Sequence, residues 1–456
     1  MSGRRMIPSV AVARAVVAVA ALAFAATSAH AADAPAWAAD APPDTALHGF
    51  LGTLSDSTDR YFGMSASPLD TAGLEESQGE EQGPGGDRAR FGYAPSFAFS
   101  RVDGSTFGGS VHLDGPHRLG RLEASLGYAV SSKRWLGGGS YRGRRARGEG
   151  IWILAADGGR ALANLNRDYR EQVLDGARAL GTGSDRAHYL RHDGWNLGVE
   201  RDDRAERWRL GVGFRDQLES PLATEATWTL FHRPLVVGPN LPAAFGRARE
   251  VAVSGGVRLP LLPLRLEADY WSAGPALGSD LVYDRARVAL GGDVSLGRLA
   301  SLVPQLAWGV LHGDRVPQES FFLGAGPTLV SIPRDALAGS SFAIAKLDLV
   351  GAGDLLRTLR LPHPAMLDLR GALFAATAAA GGADPFGGPA RLGADFPDRR
   401  EWLSEAGISL RYDPGLFGIT LKASEAWPLG PTDRHERFQL VATHALDLLR
   451  RPRDDN

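Results

Sequence analysis

From about residue 89 onward, apolar residues recur at every second position. In "LRLEADYW", Leu264, Leu266, Ala268 and Tyr270 alternate with Arg265, Glu267, Asp269 and Trp271. In "RARVALGGDVSL", Ala286, Val288, Leu290, Val294 and Leu296 share one face, while Arg285, Arg287, Asp293 and Ser295 share the other. The segments "RLEASLGYAV", "RWRLGVGFRD" and "GISLRYD" repeat the pattern. Successive strand side chains point to opposite faces, so each segment reads as a strand with one greasy and one wet side. Strands are predicted to begin near Arg90, Ser105, Gly120, Lys133, Gly150, His188, Trp208 and Arg249. The series continues at Leu264, Tyr283, Leu302, Phe342, Ala365, Ala406, Gly418 and Arg437.

Alternation does not say which side is inside. A soluble sandwich buries its apolar face, whereas a membrane barrel turns that face to lipid and keeps a polar lumen. Loop lengths separate the two. Connections on one side are short: "DGPHRL", "RDDRAER", "LPLLP", "GRLAS" and "DPGLF". On the other side, Asp157 to Ala187, Gln217 to Ala248, His312 to Ser341 and Thr377 to Leu403 are long. A sandwich has no reason to segregate loop lengths. Short turns facing long external loops, with an even strand number of about sixteen, predict an all-β fold: a transmembrane antiparallel β-barrel. A closed sheet also satisfies every backbone group where water is absent.

The N-terminus fits export. "MSGRR" is basic, "VAVARAVVAVAALAFAA" is apolar, and "SAHA" ends in small residues at Ala31, which reads as a secretory signal peptide over residues 1–31. Residues 32–88 read as a periplasmic linker, acidic and Gly-rich in "LEESQGEEQGPGGDR". Within it, Leu47, Phe50, Leu51, Leu54 and Tyr61 have the spacing of a short amphipathic helix. The barrel is expected over residues 89–446 and a charged tail over 447–456. The formal net charge of −2 gives no excess of cations to hold nucleic acid, and the absence of cysteine excludes disulfides and thiolate metal sites.

The run "VYDRARVALGGDVSLGRLASLVPQLAWGVLHGD" followed by "ESFFLGAGPTL" resembles the barrel domain of the bacterial surface antigen superfamily of outer-membrane assembly factors, the BamA- and TamA-like barrels. "FSRVDGSTFGGSVHL", "NRDYREQV" and "DRAHYLRHDG" resemble other parts of that domain, and the resemblance covers roughly residues 90–446. It implies that "FFLGAGPTLVSIPRDALAG", Phe321 to Gly339, is a long external loop folded back into the barrel. In the family the loop carries an Arg-Gly-aromatic tip, whose arginine pairs with an acid in an "aromatic-x-Asp-x-Gly" strand.

Both features depart from the family here. The tip offers Val330, Ser331 and Ile332, and the nearest arginine is Arg334. In "MLDLRGALF", Asp368 lies three residues before Gly371 rather than two, with Leu369 and Arg370 between. The inserted-loop candidates are therefore Gly324, Gly326, Arg334 and Asp335. The lumen-wall partner candidates are Asp368 and Arg370, and Arg334 with Asp368 is the expected pair. Residues 32–88 are too few and too polar for the periplasmic POTRA modules that receive substrate in the family. The strand "RFQLVATHAL" closes near Leu446 without the usual terminal aromatic.

Other chemistry is thinly supported. "LGAGPT" lacks the Lys-Ser or Lys-Thr of a phosphate loop. No His/Asp/Glu cluster has metal spacing, and no cofactor is implied. His444 has no serine at local spacing, and "GRRARGEG" (Gly143 to Gly150) reads as a solvated basic turn on the short-loop side. The expected function is outer-membrane protein insertion, assembly or translocation, with no enzymatic activity. The expected partners are outer-membrane lipids and unfolded outer-membrane or secreted proteins, and the barrel is expected to act as a monomer. A passive porin-like channel and an outer-membrane lipid hydrolase are the alternatives.

Overall fold

The computed structural model describes residues 89–444, apart from 116–119, 148–149, 168–179, 181–186, 204–206, 227–239, 260–261, 298, 325–327, 352, 359–367, 383, 388–390, 393–395, 399–400, 414–418 and 430–436. The expected leader (1–31), linker with its helix (32–88) and tail (447–456) lie outside the described residues.

A meander of long strands begins with β1 (Arg90–Ser100), β2 (Gly104–Asp114), β3 (Arg121–Ala129), β4 (Arg134–Arg147) and β5 (Gly150–Asn164). It continues through β6 (Tyr189–Asp203), β7 (Trp208–Pro221), β8 (Gly246–Arg258), β9 (Leu264–Ala273) and β10 (Tyr283–Gly292). A two-residue piece, β11 (Val294–Ser295), precedes β12 (Ala300–Asp314). A small ribbon, β13 (Phe321–Leu323) with β14 (Leu337–Gly339), interrupts the meander before β15 (Ser341–Gly351) and β16 (Asp368–Gly381). The short β17 (Arg391–Leu392), then β18 (Leu403–Asp413), β19 (Ile419–Leu429) and β20 (Arg437–His444), complete the sheet. Sixteen of these strands have eight residues or more, and each long strand pairs antiparallel with the next long strand in sequence. Every one begins within three residues of its predicted start.

The faces divide as the alternation predicts. On β6, Trp195, Leu197 and Val199 are exposed while Asn196 and Glu200 are buried. On β9, Leu266 and Tyr270 are exposed, and Glu267 and Trp271 are buried. An apolar belt thus faces outward and charge faces inward, as in a membrane-spanning barrel and opposite to a soluble protein. Among the described residues no helix is long and apolar enough to cross a membrane.

Three details differ from the sequence reading. The long connections are shorter than expected, because β5 continues through Gly158 and Gly159 to Asn164 and β7 continues to Pro221, both still paired with β6. The short-turn end carries one longer connection, from β15 to β16. There Asp354 accepts the Leu356 N–H at 3.0 Å and starts the helical turn Leu355–Thr358, whose Leu355 lies beside Gly371. The inner face is also less polar than alternation implies. Phe342, Ile344, Ala376 and Ala378 point inward and pack on Phe321, Leu323, Leu329 and Ile332 of the loop between β12 and β15. Those wall positions are apolar because protein covers them.

The ring has a seam. β1 pairs with β2 and β20 with β19, and among the described residues no pairing joins β1 to β20. Pro95 sits within β1, and proline, which has no N–H to donate, is tolerated chiefly on edge strands.

Candidate functional site: a loop anchored across the lumen

The loop after β12 turns inward at once. Pro317–Glu319 form a single 3-10 turn, with the Glu319 N–H donating to the Val316 carbonyl at 3.0 Å. Proline at the first position presets the backbone for that turn. Gln318 is then saturated: its Oε1 accepts from the Ala244 N–H (2.9 Å), and its Nε2 donates to Glu219 (2.7 Å) and to the Ala244 carbonyl (3.0 Å).

Glu319 lands in a buried ion network on the β7–β10 wall. Its carboxylate accepts from Arg167 (2.6 Å) and Arg215 (2.9 Å). The neighbouring Glu250 accepts from Arg167 (2.8 Å), Arg215 (3.0 Å) and the Tyr283 hydroxyl (2.6 Å). Arg285 donates to the Glu319 carbonyl at 3.0 Å and lies over the rings of Phe321 (4.5 Å) and Trp271 (5.0 Å). Two guanidiniums, Arg167 and Arg215, thus meet the carboxylates of Glu219, Glu250 and Glu319, while Arg285 holds the Glu319 backbone. Buried charges are tolerable only when matched and hydrogen-bonded in this way. Burial opposes the charge on Arg167, but Glu250 and Glu319 outweigh it and hold that guanidinium above its ordinary range.

The loop then crosses to the other wall. β13 and β14 pair into a ribbon, and Gly324, at φ 109°, turns the chain while its N–H donates to Thr328 Oγ1 at 2.8 Å. A Cβ there would strike the Pro333 carbonyl. At the tip, Glu405 of β18 accepts two successive backbone amides, Val330 N–H on Oε1 (2.8 Å) and Ser331 N–H on Oε2 (2.7 Å). Glu405 is 0% exposed, and Val330 packs on Phe374 and Ala426 beside it. On the return, Asp335 accepts from Asn166 at 2.7 Å and lies 3.5 Å from Arg334.

The sequence candidates are placed as follows. Gly324, Arg334 and Asp335 are all in the lumen loop, and Gly326 lies outside the described residues. Arg334 meets Asp335 and lies near His188 at the long-loop end. Asp368 opens β16 at the short-turn end. Its side chain is outside the described residues. Arg370 is opposite Arg411 in that same half. The acid that holds the tip, Glu405, is opposite Ala376, eight residues further along β16, or roughly 26 Å at strand rise. Sequence reasoning missed Glu405, Glu250, Arg215 and Arg167. The usable signal was parity: Arg215, Glu219, Glu250, Tyr283 and Arg285 all fall on the wet face of their strands.

A second junction ties the long loops over this end. His188 Nδ1 accepts from Arg101 (2.6 Å) and from the Leu241 N–H (3.1 Å), which fixes it as the neutral Nε2–H tautomer. Burial, with Arg101 and Arg334 nearby, lowers its pKa to about 3. Asn240 bridges Tyr189 and Leu222, and the Arg101 carbonyl accepts the Glu225 and Ala226 amides. Arg191 bonds Asp103 at 2.8 Å, so the turn that ends β1 is bolted into the lumen. Among the described residues no group of three His, Cys, Asp or Glu could hold a metal ion. His444 ends β20, and its side chain lies outside the described residues.

No family model and no curated protein sequence matches the chain. In fold it is similar to the crystal structure of BamA from Haemophilus ducreyi lacking POTRA domains 1-3, with a TM-score of 0.48 and 13% identity, covering 78% of this chain and 70% of that one. It is also similar to CdiB from Acinetobacter baumannii, with a TM-score of 0.38 and 10% identity, covering 78% of this chain and 58% of that one. The likeness is one of architecture.

Proposed function

We propose that this protein is an exported, monomeric outer-membrane barrel that inserts, assembles or translocates other polypeptides, engaging an unfolded client at the seam between β1 and β20. The observation that carries the reading is that, among the described residues, no strand pairing joins the two edge strands to each other. Unpaired N–H and C=O groups are costly in hydrocarbon and are a template for pairing with another strand. A client strand that adds to either edge removes that cost. The lumen loop favours this over free diffusion through a pore, since it joins the β7–β10 wall to β18 across the interior.

The test uses the absence of native cysteine. Cysteine pairs are scanned between β1 (Ala94, Ser96, Ala98) and β20 (Gln439, Val441, Thr443), and the oxidised protein is assayed in proteoliposomes for folding of a client barrel. Locking the seam should abolish client folding, and reduction should restore it. A cross-linked seam with undiminished client folding would refute the proposal. Steady wild-type conductance that survives deletion of the loop tip would refute it as well and return the reading to a passive channel.

A further inference from the structure

The basic run at the β4–β5 turn divides between the two faces of β4: Arg144 is opposite the buried Ile153, and the register places Arg145 and Arg147 on the other face. Arg145 is directly opposite Trp152, and Trp152 is directly opposite Arg201 on β6. Trp152 and Trp208 are 41% and 37% exposed, on the same outward face as Leu154, Val199 and Leu210. Arg145 and Arg201 therefore lie on the membrane-facing side, in a row at the short-turn border of the apolar belt. Arg147, two residues further out and on the same face, is opposite Gly150.

This row is built rather than scattered. The Arg201 guanidinium lies 5.3 Å from the Trp152 ring and 5.4 Å from the Trp208 ring, held between two indoles. Gly150 makes room for it: a Cβ there would sit 3.1 Å from Arg201 Nε. Among the described residues, the next carboxylate on this parity of β6, Asp203, is buried and bonded by Arg207 at 2.6 Å. The face thus presents concentrated positive charge beside indoles, at the level where tryptophan marks the boundary between acyl chain and headgroup. The outward ion pairs at the opposite end differ. Arg160 is matched by Asp193, and Arg247 and Arg249 by Asp216.

We propose that Arg145, Arg147 and Arg201, set around the notch at Gly150 with Trp152 and Trp208, form a site for the phosphodiester headgroup of an anionic phospholipid in the leaflet at the short-turn end. The planar guanidinium forks suit phosphate oxygens, and the indoles and the leucines above them suit the glycerol and upper acyl chain.

The test is native mass spectrometry of the full-length protein released from micelles holding equal phosphatidylglycerol and phosphatidylethanolamine. Wild type should retain phosphatidylglycerol in preference. Each arginine contributes about a five-fold preference at a membrane surface, so R145Q/R147Q/R201Q should lose the preference entirely. G150L keeps every charge but displaces Arg201, and should weaken the preference about five-fold. R160Q and R249Q, at the other end, should leave it unchanged. Should the triple variant fail to fold, R201Q alone carries the same expectation as G150L. Undiminished preference in folded R201Q and G150L, or an equal loss in R160Q and R249Q, overturns the site.

Discussion

Replacing Glu405 with alanine strands two buried amides at once. In the native loop tip the Val330 and Ser331 N–H groups have this carboxylate as their acceptor, at 2.8 and 2.7 Å, and no solvent reaches it. A buried donor left without a partner costs about 1–3 kcal/mol, and bonds to a charged acceptor lie toward the upper end. Relaxation of the tip recovers part of this, so the docked state should lose about 3 kcal/mol, on the order of a 100-fold change in its equilibrium. Glu405→Gln should cost less, since one oxygen still accepts while the amide nitrogen confronts the second N–H. Hydrogen–deuterium exchange of detergent-solubilised protein reads the effect directly. Peptides covering 328–333 should lose about 100-fold of their protection in Glu405→Ala. Peptides covering β13 should keep theirs, because Glu319 holds that side of the loop independently. Unchanged protection at 328–333 in a variant that still migrates as a folded barrel would refute the anchoring role. Equal loss at β13 would refute the claim that the two anchors are separate.

Other perturbations probe the remaining contacts. Arg215→Ala leaves Glu250 and Glu319 sharing Arg167 and should cost about 3–5 kcal/mol, seen as a lower temperature for the heat-induced gel shift; adding Glu319→Gln should recover part of it. Gly309→Ala should undock the loop, since a Cβ there would lie 2.6 Å from the Phe321 and Phe342 rings; exchange at β13 should rise. His188 is neutral when its junction is closed, with a pKa lowered to about 3 from an ordinary 6.5. Protons therefore favour the open junction between those values, and its opening should rise about ten-fold per pH unit as pH falls below 6.5. Proteolysis near residues 187–188 and 240–241 should follow that slope in wild type and be flat in His188→Asn, whose side-chain oxygen can accept without protonating.

Strands were legible because their signal is local and repeated. A side chain facing lipid must be apolar at every second position, and Trp195, Leu197 and Val199 record that without any knowledge of their neighbours. The anchors of the loop were not legible, because their partners are remote in sequence: Glu319 meets Arg167 across 152 residues and Val330 meets Glu405 across 75. An arginine–carboxylate pair would involve Arg334 and Asp368, whereas the tip is held by its backbone amides on Glu405, which no residue type reveals. Phe342, Ile344 and Ala378 also broke the inner-face polarity rule, because they are covered by the loop rather than by water. An apolar run on the wet parity of a barrel strand is thus itself a sign that something occupies the lumen.

The placement of the anchors bears on where the barrel can open. Counted around the ring, Glu250 on β8 lies halfway from the seam, and the loop runs from there to Glu405 on β18. The walls on either side of that span are joined both by continuous strand pairing and by the buried ion network. The far end of β1 is bolted through Asp103 to Arg191 and through Arg101 to His188. Its start near Arg90 has no equivalent tie to β20 among the described residues. Opening any other strand pair would break a ladder of backbone bonds in a medium that offers no replacement partners. Opening at the seam breaks none of the described pairings, so it should be favoured over every other site, beginning at the short-turn end and stopping at the bolted turn. Releasing both ties with Asp103→Asn and His188→Ala together should extend that opening along β1, and exchange should then reach Phe97 and Phe99. Exchange confined to the start of β1 in that double variant would show that the turn is held by something other than these two pairs.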